Sequence, residues 1–238
     1  MNHYSTLNIE NMTQLWTAYG AVNEGDFKVN NSWPHRIWLG DKNGKDDANR
    51  LIHLPWATPN HILASWDVNA SLQLDLAVHW QKNNQLFLMW LAMKDYVVTV
   101  KNDSATELVQ IASNNVDSIS KFVALCSEGF DYPIDESVIQ NVAHNPKVNL
   151  YVLYSDNVPV ATTLLYQQNE VMGIYQVAVP QQYRGQGLAK KMMLAILNNA
   201  KQSNVATVVL QSSTMGYELY RQLGFCKSGI LNLYQKNV

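Results

Sequence analysis

The segment 177–189 carries the residue types best suited to chemistry in this sequence, because an apolar run leads through two glycines into a helical pattern. Gly185 and Gly187 let the backbone approach a ligand closely, and the first turn of a helix leaves backbone N–H groups without partners. Those donors and the positive end of the helix dipole favour a phosphate group. Arg184 and Lys190 add positive charge nearby. The segment predicts a phosphate-binding loop or, because a lone Gly-x-Gly is a weak signal, a tight structural turn.

Two widespread phosphate motifs do not fit this loop. A dinucleotide-binding loop has the pattern Gly-x-Gly-x-x-Gly, but its third glycine position is Lys190 here. An acidic residue is also expected about 20 positions further on, and none is present there. A P-loop requires Gly-x-x-x-x-Gly-Lys followed by Ser or Thr, which the segment lacks. The loop therefore belongs to neither class.

A second motif follows the loop in an order typical of one known family. The run Gln182-Tyr183-Arg184-Gly185-Gln186-Gly187 resembles the Gln/Arg-x-x-Gly-x-Gly/Ala signature of the GCN5-related N-acetyltransferases (GNATs). Residues 219–225 (LYRQLGF) resemble that family's Leu-Tyr-x-x-x-Gly-Phe element. Residues 210–217 resemble a bacterial branch of the family whose substrates are mostly unassigned. The resemblance covers the chain from about Thr106 to the C-terminus.

The resemblance implies acetyl-CoA as the acetyl donor, with its pyrophosphate on the loop amides and its pantetheine arm along the preceding strand. An amide of Val177 or Ala178 would polarise the thioester carbonyl. Tyr220 matches the family's general acid, which protonates the departing thiolate, and Ser213 replaces an Asn that the family often carries. The implied donor-binding residues are Val177, Ala178, Val179, Gln182, Arg184, Gly185, Gln186, Gly187, Leu188, Ala189, Lys190 and Ser213.

The acceptor side is less determined by the motifs. Some family members carry a Glu base on the strand before the loop, but residues 171–179 contain no carboxylate, so water-mediated deprotonation is the favoured account. The family often binds the acceptor at the link between its first two helices, which implies contacts from Phe130, Asp131 and Tyr132. The acids in that region could attract a cationic amine, or they could cap a helix and face solvent. These acids are Glu128, Asp131, Asp135 and Glu136.

Aromatic usage divides the chain into two parts. All seven tryptophans lie at or before Trp90, and a polar stretch at 101–104 separates two apolar segments. We expect an N-terminal α+β domain at 1–104 and a GNAT domain at 105–238. The predicted fold class is α/β (α+β), with a mixed, mostly antiparallel sheet flanked by helices. The smaller first domain has a strand-rich pattern that also permits a degenerate relative of the same fold.

Apolar periodicity predicts the elements that position these residues. In the first half the pattern predicts a helix at 12–22 and strands at 37–39, 51–54, 72–78 and 87–93. In the second half it predicts helices at 116–126, 136–143, 187–201 and 215–223, and strands at 108–111, 149–154, 158–166, 171–179, 205–210 and 230–234. Asp135 is the expected cap of the helix that begins at Glu136.

Composition narrows the function classes. The net charge of −2 offers no basic excess for a nucleic acid, and the apolar runs are far shorter than the roughly 20 residues of a membrane span. The N-terminal residues lack a secretory pattern, which predicts a cytoplasmic protein. Cys126 and Cys226 have no zinc spacing, so no metal is expected, and Cys226 is expected to be a buried apolar residue.

The favoured function is transfer of an acetyl group from acetyl-CoA to a primary amine of a small molecule or a peptide. The amine would attack directly in a ternary complex, and the protein would be a monomer or a homodimer. The missing base carboxylate leaves a second hypothesis open, in which the protein is a non-catalytic acyl-CoA-binding or sensing module.

Overall fold

The computed structural model describes residues 2–40, 54–66, 77, 79–98 and 105–237. The helices in these residues are α1 (His3–Ala18), α2 (Val116–Phe130), α3 (Glu136–Ala143), α4 (Leu188–Gln202) and α5 (Tyr217–Gln222). The strands are β1 (Val22–Glu24), β2 (Phe27–Val29), β3 (Arg36–Leu39), β4 (Ile62–Ser65), β5 (Trp80–Ala92), β6 (Thr106–Ile111), β7 (Val148–Ser155), β8 (Val158–Gln168), β9 (Val171–Ala178), β10 (Thr207–Ser212) and β11 (Cys226–Lys236).

All these strands belong to one sheet, in the order β1-β2-β3-β4-β11-β5-β10-β9-β8-β7-β6. The β3–β4 and β9–β10 pairs are parallel, and the other neighbours are antiparallel. The prediction of a mixed, mostly antiparallel sheet is therefore confirmed. Strand β5 comes from the first half of the sequence, yet it pairs with β10 on one side and β11 on the other. The expected boundary at 101–104 lies outside the described residues, so the division at 104 stays a prediction.

Helices cover both faces of the sheet. Side chains of α1, α2 and α3 pack into one hydrophobic cluster, and those of α4 and α5 pack into another. Neighbouring residues of β8 enter different clusters: Leu164 joins the first and Leu165 the second. Because successive side chains of a strand point to opposite faces, the two helix groups lie on opposite sides of the sheet.

The first half departs most from the predicted elements. The helix expected at 12–22 is wrong in its bounds: α1 begins at His3, where the Asn2 side chain accepts a hydrogen bond from the Ser5 amide at 2.8 Å. It ends before Gly20, whose φ of 94° suits a residue without a side chain. The short strands β1, β2 and β4 were not expected, and β5 begins seven residues before the predicted strand at 87. Most of the strands expected at 51–54 and 72–78 lie outside the described residues.

The second half follows the prediction more closely. Each predicted strand and helix is present within a few residues, and Asp135 caps α3 by accepting hydrogen bonds from the amides of Ser137 and Val138. The expectation that Cys226 is buried is wrong, because it begins β11 with its side chain exposed while Phe225 before it is buried. No helix among the described residues is both long and apolar enough to cross a membrane.

Candidate active site

Strands β9 and β10 separate near the middle of the sheet. Their parallel pairing runs from Val171 and Thr207 to Ile174 and Leu210, beyond which no described residue of one pairs with the other. A bulge in β9 accompanies the separation, since the pairing with β8 shifts register and Gln176 has a φ of 48°. The strands therefore leave an open edge of β9, which we call the β9–β10 cleft.

A glycine loop lies directly beyond this end of β9. Gly185 and Gly187 both occupy the left-handed region, with φ of 78° and 73°. The first hydrogen bond of α4 joins the Lys191 amide to the Gly187 carbonyl, so the three amides before Lys191 have no acceptor within the helix. A Cβ atom added at either glycine would meet no other atom within 4 Å. The loop thus presents free amides to open space, which is the arrangement that an anionic phosphate requires.

The Arg184 side chain anchors the loop instead of facing its mouth. Its Nε donates to the Val179 carbonyl at 3.0 Å, and its Nη2 donates to the Gly129 carbonyl at 2.7 Å. Gln182 makes a second link, donating from Nε2 to the Glu128 carboxylate at 2.7 Å. Arg184 therefore joins the loop to both β9 and α2. Of the two cations expected to add positive charge near the loop, Lys190 is the one whose side chain is exposed and not used as an anchor.

Gly129 permits the close approach of α2 to β9 and was not singled out from the sequence. A Cβ atom at this position would lie 2.8 Å from the Cβ of Ala178 and 3.1 Å from the Val179 nitrogen. The backbones of α2 and β9 are therefore so close at this point that a side chain at position 129 would not fit without a shift. A glycine on the buried face of an amphipathic helix was the available signal.

Tyr220 lies on α5, next to the end of β10. Its side chain is 8% exposed and packs edge-to-face on Phe225, with ring centroids 5.9 Å apart. Burial raises the pKa of the phenol to about 12, so the hydroxyl keeps its proton at neutral pH. No described residue accepts a hydrogen bond from it. Ser213 is exposed near the same end of β10, and its Oγ accepts a hydrogen bond from the Gly216 amide at 3.2 Å.

The predicted acceptor residues lie at the end of α2. Phe130 is its last residue, Asp131 follows with a φ of 59°, and Tyr132 stacks on Phe130 at 5.5 Å. Asp131 is exposed. The other nearby acids serve local hydrogen bonds: Asp135 caps α3, Glu136 accepts from Ser120 and Gln140, and Glu128 accepts from Gln182. These acids do not converge on one point. The structure therefore agrees with the interpretation that they cap a helix or face solvent, rather than with a cluster that attracts a cationic amine.

The N-terminal helix contributes side chains to the same region, which the sequence reasoning missed. Tyr175 donates from its hydroxyl to the Asn11 side chain at 2.7 Å. The Gln176 amide donates to the Tyr19 hydroxyl at 3.1 Å, and this hydroxyl lies 3.3 Å from Gln176 Oε1. Asn8 and Asn11 are buried polar residues three apart on α1, and that spacing was the only signal available.

Candidates for a general base remain few. Glu170 is exposed in the turn before β9, and burial raises the pKa values of the Tyr19 and Tyr175 phenols, which opposes their use as bases. Within the part of the chain that the structure describes, no group of three or more His, Cys, Asp or Glu side chains could hold a metal ion.

Comparison with known proteins agrees with this geometry. The family model "Acetyltransferase (GNAT) domain" matches residues 105–234, which is more than half of the chain. The chain belongs to the GNAT acetyltransferase family. Enzymes of this family use acetyl-CoA and act on amines in general, as the sequence resemblance implied.

Individual relatives are more distant. The rat protein N-acetyltransferase 8B is 39% identical over 59 residues, which span 24% of this chain and 27% of that protein. A GCN5-related N-acetyltransferase from Kribbella flavida superposes with a TM-score of 0.72 at 14% identity, covering 100% of this chain and 97% of its own. One from Sphaerobacter thermophilus gives 0.67 at 11% identity, covering 94% and 85%. These two structures share the fold of nearly the whole chain.

Proposed function

We propose that this protein transfers the acetyl group of acetyl-CoA to a primary amine of a small molecule or a peptide. The observation that carries this proposal is that three features follow one another along the chain: the β9–β10 cleft, the glycine loop and the start of α4. An extended thiol arm fits along an open strand edge, and a pyrophosphate fits the free amides at its end.

The donor would be held mainly by backbone groups. The loop from Gly185 to Lys190 would hold the pyrophosphate through its amides, because the Arg184 amide already donates to the Gln181 carbonyl and its guanidinium is bonded to two other carbonyls. Ala178 pairs with Thr162 of β8, whereas Val177 lies in the bulge of β9, where no described residue of β8 pairs with it. We therefore favour Val177 over Ala178 as the residue that pairs with the arm, while Gln182 and Ser213 border the site.

Acetyl-CoA supplies a thioester carbonyl that an amine can attack. A C–N bond forms, the C–S bond breaks, and CoA leaves as a thiolate that then takes up a proton from water. The Val177 amide would stabilise negative charge on the carbonyl oxygen. The Tyr220 hydroxyl would donate a hydrogen bond to the departing sulfur, since a phenol with a pKa of about 12 is a weak acid toward a thiolate of pKa about 8.5. Water would carry the amine proton away, since β9 bears no carboxylate.

The first experiment is a thermal-shift titration with acetyl-CoA and with CoA, followed by a thiol-release assay with a panel of primary amines. A ligand that binds only the native state raises the unfolding midpoint as its concentration exceeds the Kd. We expect a dose-dependent rise with both ligands and amine-dependent thiol release. Absence of any shift at millimolar ligand would count against the proposal. A shift without thiol release for any amine would favour the acyl-CoA-binding module instead.

A further inference from the structure

Arg36 of β3 is a partly buried cation that has no counter-ion among the residues that the structure describes. Its guanidinium carbon lies 5.9 Å from the centre of the Trp16 ring of α1. The Arg36 side chain is partly buried, and this burial lowers its pKa. Among the described residues, none forms a salt bridge with this guanidinium or accepts a hydrogen bond from it. A partly buried charge that forms no ion pair is costly, so we expect an anionic ligand to bind it.

We give the name aromatic recess to a group of side chains near Arg36. It consists of Tyr19, Trp33, Arg36, Tyr132 and Gln176. The rings of Tyr19 and Trp33 lie 5.2 Å apart, and Tyr19 also contacts the Gln176 amide. Tyr132 is 46% exposed, yet burial raises the pKa of its hydroxyl and the nearby Arg36 charge opposes that rise.

The aromatic recess adjoins the proposed reaction centre. Gln176 directly precedes Val177, whose amide we assign to the thioester. Tyr132 follows the C-terminal end of α2, where the Gly129 carbonyl accepts a hydrogen bond from the Arg184 guanidinium. The recess thus lies where an acceptor could reach the acetyl group, and the N-terminal half provides three of its five side chains.

Building on the proposed acetyl transfer, we propose that the acceptor is an amino acid-like molecule, with a primary amine and a carboxylate that Arg36 binds in the aromatic recess. The planar guanidinium presents paired N–H donors that match the two oxygens of a carboxylate. Tyr19 and Trp33 provide ring surfaces for the body of the acceptor. One guanidinium balances the single charge of a carboxylate, whereas the glycine loop already offers donors for the phosphates of the coenzyme.

The test compares matched amines that differ only in the carboxylate. The pairs are 5-aminopentanoate with pentylamine, L-leucine with isopentylamine, and L-phenylalanine with phenethylamine, each assayed for thiol release from acetyl-CoA. We expect kcat/KM to favour the carboxylate member by about 10- to 100-fold in at least one pair, as for hydrogen bonds to charged groups. Arg36→Gln should remove this preference. Lys82→Gln, which removes a charge from an exposed position of β5, should keep it.

Acetyl-CoA binding is measured in parallel on each variant. Arg36→Gln should bind acetyl-CoA like the parent protein and unfold at a similar temperature, because no described residue forms an ion pair or hydrogen bond with the guanidinium. Equal rates for both members of every pair, with acetyl-CoA bound, would overturn this inference and leave the proposed function intact. Weaker acetyl-CoA binding by Arg36→Gln would also overturn it, by assigning the guanidinium to the donor. Failure of the parent protein to bind acetyl-CoA would refute the proposed function itself.

A binding measurement covers the case in which no pair reacts. The same acids and amines are then titrated onto the CoA-bound protein, and the unfolding midpoint is followed. A rise with an acid that is absent with its matched amine, and absent in Arg36→Gln, supports the carboxylate site. No rise with any of the acids overturns it.

Discussion

The side-chain amide of Asn8 donates a hydrogen bond to the Leu210 carbonyl at 3.0 Å, on the last residue of β10 that pairs with β9. The same nitrogen donates to the Met89 carbonyl at 2.8 Å, and Gln211 donates to Asn8 Oδ1 at 2.6 Å. Asn8 is fully buried. A residue of the N-terminal helix thus holds β5 and β10 together where the β9–β10 cleft opens, so the first half of the chain helps to shape the proposed donor site.

Asn8→Ala should therefore destabilise the protein and weaken donor binding together. The substitution removes three hydrogen bonds and leaves buried polar groups unsatisfied, which costs about 2–3 kcal/mol. Urea unfolding measures this loss, and a thermal-shift titration follows acetyl-CoA. Asn23→Ala, at an exposed position of β1, is the control and should change the free energy of unfolding by less than about 0.5 kcal/mol. Equal stability of the two variants would contradict the role given to Asn8.

The second half of the fold was predictable because its signals are local. Asp135 caps α3 through backbone amides two and three residues ahead, and Gly187 begins α4 in a left-handed conformation, so short stretches of sequence determine both. The first half depends on pairings between distant residues. Strand β5 lies between β10 and β11, and no pattern within residues 80–92 specifies those partners.

The site divides in the same way. The glycine loop and Tyr220 were predicted as site residues from motifs, because each lies within a short stretch of sequence, one a strand–loop–helix and the other a short helix. Arg36 and Tyr132 come from different halves of the chain, and only the packing of α1, β3 and α2 brings them together. The Arg184 guanidinium was expected to add charge at the loop. Its two carbonyl acceptors, at Val179 and Gly129, depend on an approach of α2 that the sequence did not reveal.

Gly187→Leu should abolish acetyl-CoA binding. A side chain at this position would project into the open space over the loop amides, where the phosphate is expected. The left-handed φ of 73° adds a strain of about 1–2 kcal/mol in the free energy of unfolding. Gly25→Leu is a matched control, because Gly25 has a φ of 60° and equally open surroundings but lies in the turn between β1 and β2.

Thermal-shift titration separates the two effects of these glycine substitutions. Both variants should unfold at a lower temperature than the parent protein without ligand. Only in Gly187→Leu should acetyl-CoA no longer raise the unfolding midpoint. We expect its Kd for acetyl-CoA to increase by at least about 100-fold, which is about 2.7 kcal/mol. Retained binding in Gly187→Leu would mean that the loop is a structural turn.

Arg184→Lys tests the anchor between the loop, β9 and α2. A lysine ammonium lacks the rigid fork that reaches the Val179 and Gly129 carbonyls together. We expect a loss of about 1 kcal/mol in stability and roughly tenfold weaker acetyl-CoA binding, because the loop amides lose their fixed position. Arg221→Lys is the comparison for stability. The ion pair between Arg221 and Glu218, 2.7 Å apart, is solvent-exposed, and such pairs contribute little to the free energy of unfolding.

Tyr220→Phe should lower kcat by about 10- to 100-fold while acetyl-CoA affinity stays within about twofold, because the variant keeps the ring and loses only the hydrogen bond to the departing sulfur. Tyr217→Phe is the control on the same helix, where the ring of Tyr217 packs against Phe87 at 4.9 Å. An equal loss of kcat in both variants would assign the effect to the packing of α5.

The pH dependence gives an independent check on Tyr220. Its pKa is raised from 10.0 to about 12 by burial, so the phenol stays protonated and its ionisation should not lower kcat between pH 7 and about 10.5. The stability effect has a defined sign. The unfolded chain releases this proton near pH 10 and the folded protein near pH 12, so the free energy of unfolding falls as the pH rises through that interval. Tyr220→Phe should reduce that fall, as urea unfolding at pH 9 and pH 11 would measure. A decline of kcat centred near pH 10 that disappears in Tyr220→Phe would contradict the buried, protonated phenol.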